Sequence, residues 1–472
     1  MRGLRPGIFH ILLSAVLLAF ILTCCDWSNN IGQNMNNSQK SGTIHDASWA
    51  KNNFADTELE IAIFQGGYSK DYWDSIILKF EEAYPGVKIH MTISPQIGQI
   101  ITPNVVSGNP PDFISLNDVE SSGLVMSLIR AKGLTDLTDF FNEKALDRDT
   151  AIKDMIIPGV LDTVKFSPYQ DGRIYLAPFN YGSTGLVYNK NLFKKRGWTV
   201  PGTWDEFFAL GDIAKKEGRA LFTYQGIYPT YLELVLWPAI ANSCGTDTLN
   251  RIYNYEKGSF ENDKVKKVLQ ILDRIASQGY LMKGTAALNH TQAQTEMMQG
   301  KALFIPCSSW IENEMKNAPR EEGFEFGLAP VPTFNQGDKH YVAITCEQFS
   351  IPAKAKNPAL AKEFLRFLYS DASVELFAEK SNGVIALKHA RELAKYKLTE
   401  TTDGFFSILD DSTPIIDNWT ILPKNSRIPI QTEIFEKCVT LVMNKQMTID
   451  MGMNDVEKVF AQARDEINKS KD

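Results

Sequence analysis

Residues 222 to 238 read FTYQGIYPTYLELVLWP. The window sets Phe222, Tyr224, Tyr228, Tyr231 and Trp237 beside an amide, Gln225, a glycine, Gly226, and two prolines, Pro229 and Pro238. Core helices rarely mix these types. A tyrosine offers a flat apolar face with a polar tip at small entropy cost, and a neighbouring amide can pair with polar groups. Tyr224, Gln225, Tyr228 and Tyr231 therefore suit contact with a ligand. Trp237 follows Leu234, Val235 and Leu236 and reads as core.

Other reactive constellations are absent. The chain has no nucleophile elbow, no HExxH, no phosphate loop and no GxGxxG. Its histidines are isolated. The six cysteines are Cys24, Cys25, Cys244, Cys307, Cys346 and Cys438. The last four are scattered, with no CxxC and no histidine at ligand spacing, so no zinc site is expected. No cofactor or other metal site is suggested either. The formal charge of −7 speaks against nucleic acid, which needs a basic face. Aromatic residues make up 11% of the chain, and many stand beside Asn, Gln, Gly and Pro, outside apolar runs.

The first residues have the three parts of an export signal. Arg2 and Arg5 form a positive start, and Ile8 to Leu22 is an apolar run short for a membrane span of roughly 20 residues. The run ends in Leu22-Thr23-Cys24-Cys25, which resembles a bacterial lipoprotein signal. Residues 1–25 would carry the lipoprotein signal, with cleavage before Cys25 leaving Cys25 as the lipidated N-terminus and Cys24 as the alternative. Residues 26–56 are rich in Asn and Ser, with no apolar period, and read as a flexible tether. The folded part would then be extracytoplasmic and held at the membrane by a lipid anchor.

A regular alternation follows. Leu59 to Phe64 carries a strand signal. Ser69 can cap a helix that places Trp73, Ile76, Ile77 and Phe80 on one face. Val87 to Met91 alternates as a second strand, a helix is expected over 97–107, and Pro110 to Leu116 reads as a third strand. This βαβαβ rhythm predicts an α/β lobe with a largely parallel sheet. A second unit begins after Arg173, with extended chain over 174–188. Thr203 and Glu206 form a capping box for a helix to Lys216. Further helices are expected over 263–278, 358–369 and 371–380, and Ala302 to Ile305 reads as a buried strand.

Several of these segments resemble one family in the same order. They are Tyr84-Pro85-Gly86-Val87-Lys88-Ile89, Pro111-Asp112, Tyr188-Asn189-Lys190-Asn191-Leu192-Phe193, Thr203-Trp204-Asp205-Glu206-Phe207, Gly300-Lys301-Ala302 with Ser309-Trp310, and Phe349 to Pro358. Together they resemble the family 1 extracellular solute-binding proteins over nearly the whole mature chain. Leu221 to Gly226, followed by Tyr228-Pro229, is similar to the branch that binds N-acetylglucosamine and chitobiose. The resemblance implies a two-lobed periplasmic-binding-protein fold of type II-like α/β architecture, with three hinge crossings near 176–182, 303–310 and 343–351. Lobe 1 would comprise 57–178 and 309–345, and lobe 2 would comprise 179–308 and 346–472. Ligand would sit in the cleft and be trapped by hinge closure.

A sugar presents an apolar C–H face and a rim of hydroxyls, which calls for aromatic faces beside amides and carboxylates. In this architecture Gln65, Gly67 and Tyr68 form the loop after the first strand, open on the cleft. Asn117 and Asp118 end the third strand, where Asp118 serves equally well as a helix cap. Asn180 and Tyr181 fall at the first crossing and Glu347 at the third. Trp310 follows the small residues Ser308 and Ser309, which leave room over one ring face. Asn382 with Gly383 resembles the family's "GG" turn, with Asn in place of one Gly, and either contacts ligand or tolerates a left-handed turn. Trp419 closes another polar and aromatic cluster with Asp417 and Asn418. The function implied is a carbohydrate-binding protein, not an enzyme, acting as a monomer and delivering its ligand to the permease subunits of an ABC importer. A sugar sensor docking on a membrane receptor is the alternative. A glycoside hydrolase would need two carboxylates facing each other across the cleft.

Overall fold

The computed structural model describes Phe54 and residues 57–68, 70–116, 118–423 and 425–470. The export signal, Cys24, Cys25, Ser69, Asn117 and nearly all of the expected tether lie outside the described residues. Ten strands form one sheet: β1 (Glu58–Phe64), β2 (Lys88–Ser94), β3 (Phe113–Leu116), β4 (Leu176–Asn189), β5 (Ala220–Phe222), β6 (Ala302–Ser308), β7 (Phe326–Ala329), β8 (Tyr341–Ser350), β9 (Val384–Ile385) and β10 (Thr413–Ile415). The main order is β2-β1-β3-β8-β4-β6-β5. β1 pairs parallel with both β2 and β3, as the alternating βα rhythm requires. The helices α1 (Lys70–Ala83) and α2 (Ile97–Val106) supply those crossovers, and α1 buries Trp73, Ile76, Ile77 and Phe80 as its spacing predicts.

The local signals downstream also become structure. Thr203 Oγ1 accepts from the Glu206 amide, while Glu206 Oε2 accepts from the Thr203 amide, and the capped helix runs Trp204–Lys216. The helix Asp263–Ser277 buries Val265, Val268, Leu269, Leu272 and Ile275. Trp237 is buried, its ring edge-on to Tyr253 and Phe435.

The buried apolar residues fall into three clusters. The first gathers β1–β3, α1, the start of β4 and residues 360–394. The second and third lie on opposite faces of the sheet formed by the end of β4 with β6. Leu186 and Phe304 point to one, and Val187 and Ile305 to the other, as alternate residues of a strand must. This partition corrects the lobe boundaries. Leu360 to Ala394 belong to the first core, not to the second lobe, because Phe364 and Phe367 pack edge-on against Phe80 of α1. Ile311, Met315, Phe326 and Leu328 in turn pack with Val187 and Ile305 of the second lobe, not the first.

The crossings shift with it. β4 begins in the first core with Leu176 and ends in the others with Leu186 and Val187. β8 joins the second core at Tyr341 and the first at Cys346 and Phe349. Residues 303–310 stay within the second and third clusters. The remaining crossing is 405–416, where Phe405 packs in the third cluster, Phe406 in the first and Ile415 in the second. β4 is not regular through its crossing. Its pairing with β8 shifts between Pro178 and Tyr181, where a proline without an N–H interrupts the ladder.

Candidate functional site

The irregular stretch of β4 places Asn180 where two lobes meet. Asn180 is buried, and its Nδ2 donates to Glu347 Oε2 on β8 at 2.9 Å. Tyr68, in the loop after β1, stands near the same carboxylate. Burial, and then the charge of Glu347, push the Tyr68 hydroxyl well above the usual phenol range. The Tyr68 ring packs at 5.1 Å from Phe377. Gly383 is close to both rings: a Cβ there would come within 2.8 Å of Tyr68 Cε1 and 2.5 Å of Phe377 Cε1. Only glycine fits.

Across from this group is Trp310, half-buried against the third cluster at the end of β6. A Cβ on Gly67 would lie 3.3 Å from Trp310 Cβ, so the glycine-containing loop and the tryptophan face each other directly. Gln65 is exposed, with its backbone N–H donating to Ser94 O. Asn382 adopts the left-handed conformation at φ 50° and caps the helix Asp371–Ser381. Its side chain also bonds: Nδ2 donates to Glu312 Oε2 at 3.0 Å, and Oδ1 accepts from the Thr399 amide at 3.0 Å. The left-handed turn is therefore present, and the side chain is engaged by protein partners. Gln65, Gly67, Tyr68, Asn180, Trp310, Glu347 and Asn382 thus form one neighbourhood at the junction of the lobes.

Other expected residues stand elsewhere. Tyr224 is 1% exposed and Gln225 is fully buried. Burial raises the Tyr224 hydroxyl above its usual range, against a hydrogen bond with Thr440. Gln225 Nε2 donates to Pro306 O of β6 at 2.8 Å. Both residues are packed inside the second lobe, and Gln225 braces the strand that leads to Trp310. Tyr228 is 43% exposed, its ring 5.8 Å from His290. Tyr181 is buried edge-on to Phe406, with its hydroxyl pushed up to about 12 by burial. It packs in the first core. Trp419 packs against Tyr253 and Tyr255 at 4.9 and 5.5 Å, and belongs to the margin of the second core. Asn117 and the side chain of Asp118 lie outside the described residues.

The sequence reading missed Glu312, Thr399 and Thr402, whose side chains surround Asn382. Glu312 follows Trp310 by two residues, and Thr399 caps the helix Glu400–Ser407, but nothing local couples the two segments. No disulfide joins Cys244, Cys307, Cys346 or Cys438 to another cysteine among the described residues. Among the described residues no His, Cys, Asp and Glu group could hold a metal, and no helix is long and apolar enough to cross a membrane. A groove of about 680 Å³ lies apart from this neighbourhood, between α2, the helix Asp118–Arg130 and Pro352 to Lys354, and its lining has no aromatic ring or carboxylate.

The family of bacterial extracellular solute-binding proteins matches residues 66–375. The diacetylchitobiose binding protein of Streptomyces coelicolor is 32% identical over 334 residues, 69% of this chain and 68% of that one. The chain belongs to the bacterial extracellular solute-binding protein family. The multiple sugar-binding protein of Streptococcus mutans is 23% identical over 67% of this chain and 72% of its own. Among solved structures, a chitin oligosaccharide binding protein superposes with a TM-score of 0.65 at 18% identity, covering 86% of this chain and 99% of that one. That likeness bears out the two-lobed α/β fold. Membership also places the solute-binding part outside the cytoplasm and makes its kin binding proteins.

Proposed function

We propose that this protein binds N-acetylglucosamine or a short chitin oligosaccharide and delivers it to an ABC importer. The observation that carries the reading is the 32% identity with a diacetylchitobiose binding protein over more than two thirds of each chain. The site chemistry supports it. Trp310 offers a ring for the C–H face of a pyranose, opposite the backbone of Gly67. The Asn180–Glu347 pair and the Tyr68 hydroxyl supply donors and acceptors for hydroxyls and the acetamide, whose N–H and C=O must both be satisfied when buried. Gln65 and Asn382 complete the polar rim. In this reading Cys25 carries the lipid anchor, the protein acts as a monomer on the extracytoplasmic side of the cell membrane, and no reaction is catalysed.

Thermal shift with a panel of sugars tests it. A ligand that binds only the native state raises the melting temperature by mass action. Chitobiose should raise it and maltose should not; a shift with maltose or xylo-oligosaccharides alone overturns the substrate assignment.

A further inference from the structure

We infer that Glu312 is a latch between the lobes, a positioning residue that holds them in the arrangement in which they meet. Its Oε2 accepts three hydrogen bonds, from Asn382 Nδ2 at 3.0 Å, Thr399 Oγ1 at 2.6 Å and Thr402 Oγ1 at 3.0 Å. The neighbouring Asn313 Nδ2 donates to Ser381 O at 2.5 Å. These bonds link separate bodies. Ile311 and Met315, on either side of Glu312, pack in the third cluster of the second lobe. Phe377, Ala378 and Val384, on either side of Asn382, pack in the first core. Thr399 and Thr402 open the helix that leads into the crossing at 405–416. One carboxylate therefore joins the segment bearing Trp310, the turn bearing Asn382 and the head of a hinge.

The energetics favour a latch over a surface contact. Hydrogen bonds to an ionised acceptor are roughly twice as strong as neutral ones. Glu312 is half-buried, and Thr402 is fully buried. A ligand shifts closure only by its differential affinity for the closed state, so a latch that prepays part of closure tightens binding without touching ligand. The effect on affinity rests on the carbohydrate reading above; the latch itself does not.

The test is small-angle scattering of the ligand-free protein, comparing wild type, Glu312→Gln, Asn382→Asp and the double variant. Asn382→Asp sets two carboxylates face to face, so its radius of gyration should exceed that of wild type at pH 7. The double variant restores a carboxylate–amide pair with roles exchanged and should return to the wild-type radius; aspartate tolerates the left-handed turn. Glu312→Gln alone is nearly isosteric and should expand the particle, which keeps the test informative if Asn382→Asp does not fold. It should also weaken chitobiose binding about tenfold. Equal radii for wild type and Glu312→Gln, or no recovery in a folded double variant, overturn the latch. Expansion of Glu312→Gln without any chitobiose binding in wild type leaves the latch standing and removes the sugar assignment.

Discussion

Asn180 Nδ2 and Glu347 Oε2 stand 2.9 Å apart and join the first crossing strand to the second. The pair exists because β4 loses register after Pro178, which turns Asn180 toward β8 at the meeting of the lobes. A hydrogen bond to an ionised partner contributes about 1.5–3 kcal/mol. Asn180→Ala should therefore weaken chitobiose binding by tenfold or more, measured by calorimetry. Unchanged affinity would place ligand elsewhere.

Trp310 is the ring we assign to the sugar face. Loss of a large aromatic anchor costs about 2 kcal/mol or more of binding energy. Trp310→Ala should lower affinity by at least about thirtyfold, since each 1.4 kcal/mol is tenfold. Wild-type tryptophan fluorescence should change on sugar addition, and the variant should lose most of that change. A full signal in the variant would assign it to another indole.

Tyr224 separates wall from support. Because its ring is buried in the second core, Tyr224→Phe should keep affinity within about twofold while losing about 1 kcal/mol of stability with the Thr440 hydrogen bond. Tyr224→Ala should destabilise by roughly 3–5 kcal/mol, as buried aromatic truncations do. A large affinity loss in the phenylalanine variant, at unchanged stability, would return Tyr224 to the binding surface.

These placements show what sequence can and cannot carry. The Thr203–Glu206 capping box, the apolar face of Val265 to Ile275 and the core position of Trp237 are local signals, and each became the expected element. The burial of Tyr224 and Gln225 was not legible, because composition alone does not tell which side of a strand a residue takes. The lobe membership of 360–394 was not legible because Phe364 meets Phe80 only after the chain has passed through the second lobe and returned. The Glu312–Asn382 contact spans 70 residues and the Glu312–Thr402 contact 90, so no window of the chain contains either.

Acid stability has a predictable source. The hydrogen bond from His389, with the charge of Arg148, holds the Asp371 carboxyl below the usual carboxylate range. A carboxyl with a lowered folded pKa contributes stability above its unfolded value of about 3.9, and that contribution is lost as pH falls through the folded value. Asp371→Asn should therefore flatten the fall of melting temperature below about pH 4. The side chain is 41% exposed, so screening keeps the change small. Superimposable acid limbs would show that the pair contributes nothing.

The lipid anchor is read from Leu22-Thr23-Cys24-Cys25 alone. Mass spectrometry of the mature N-terminus should find diacylglyceryl modification on Cys25, and Cys25→Ala should release the protein from membranes. A mature protein that starts elsewhere without lipid would remove the anchor from the account.

Calorimetric titration of the purified protein with chitobiose, beside maltose and xylobiose, decides which sugar the protein takes. Chitobiose should bind saturably at one to one, with binding lost or greatly weakened in Trp310→Ala, and the other two disaccharides should show no comparable binding. Tight binding of maltose or xylobiose with no heat from chitobiose would contradict the chitobiose assignment.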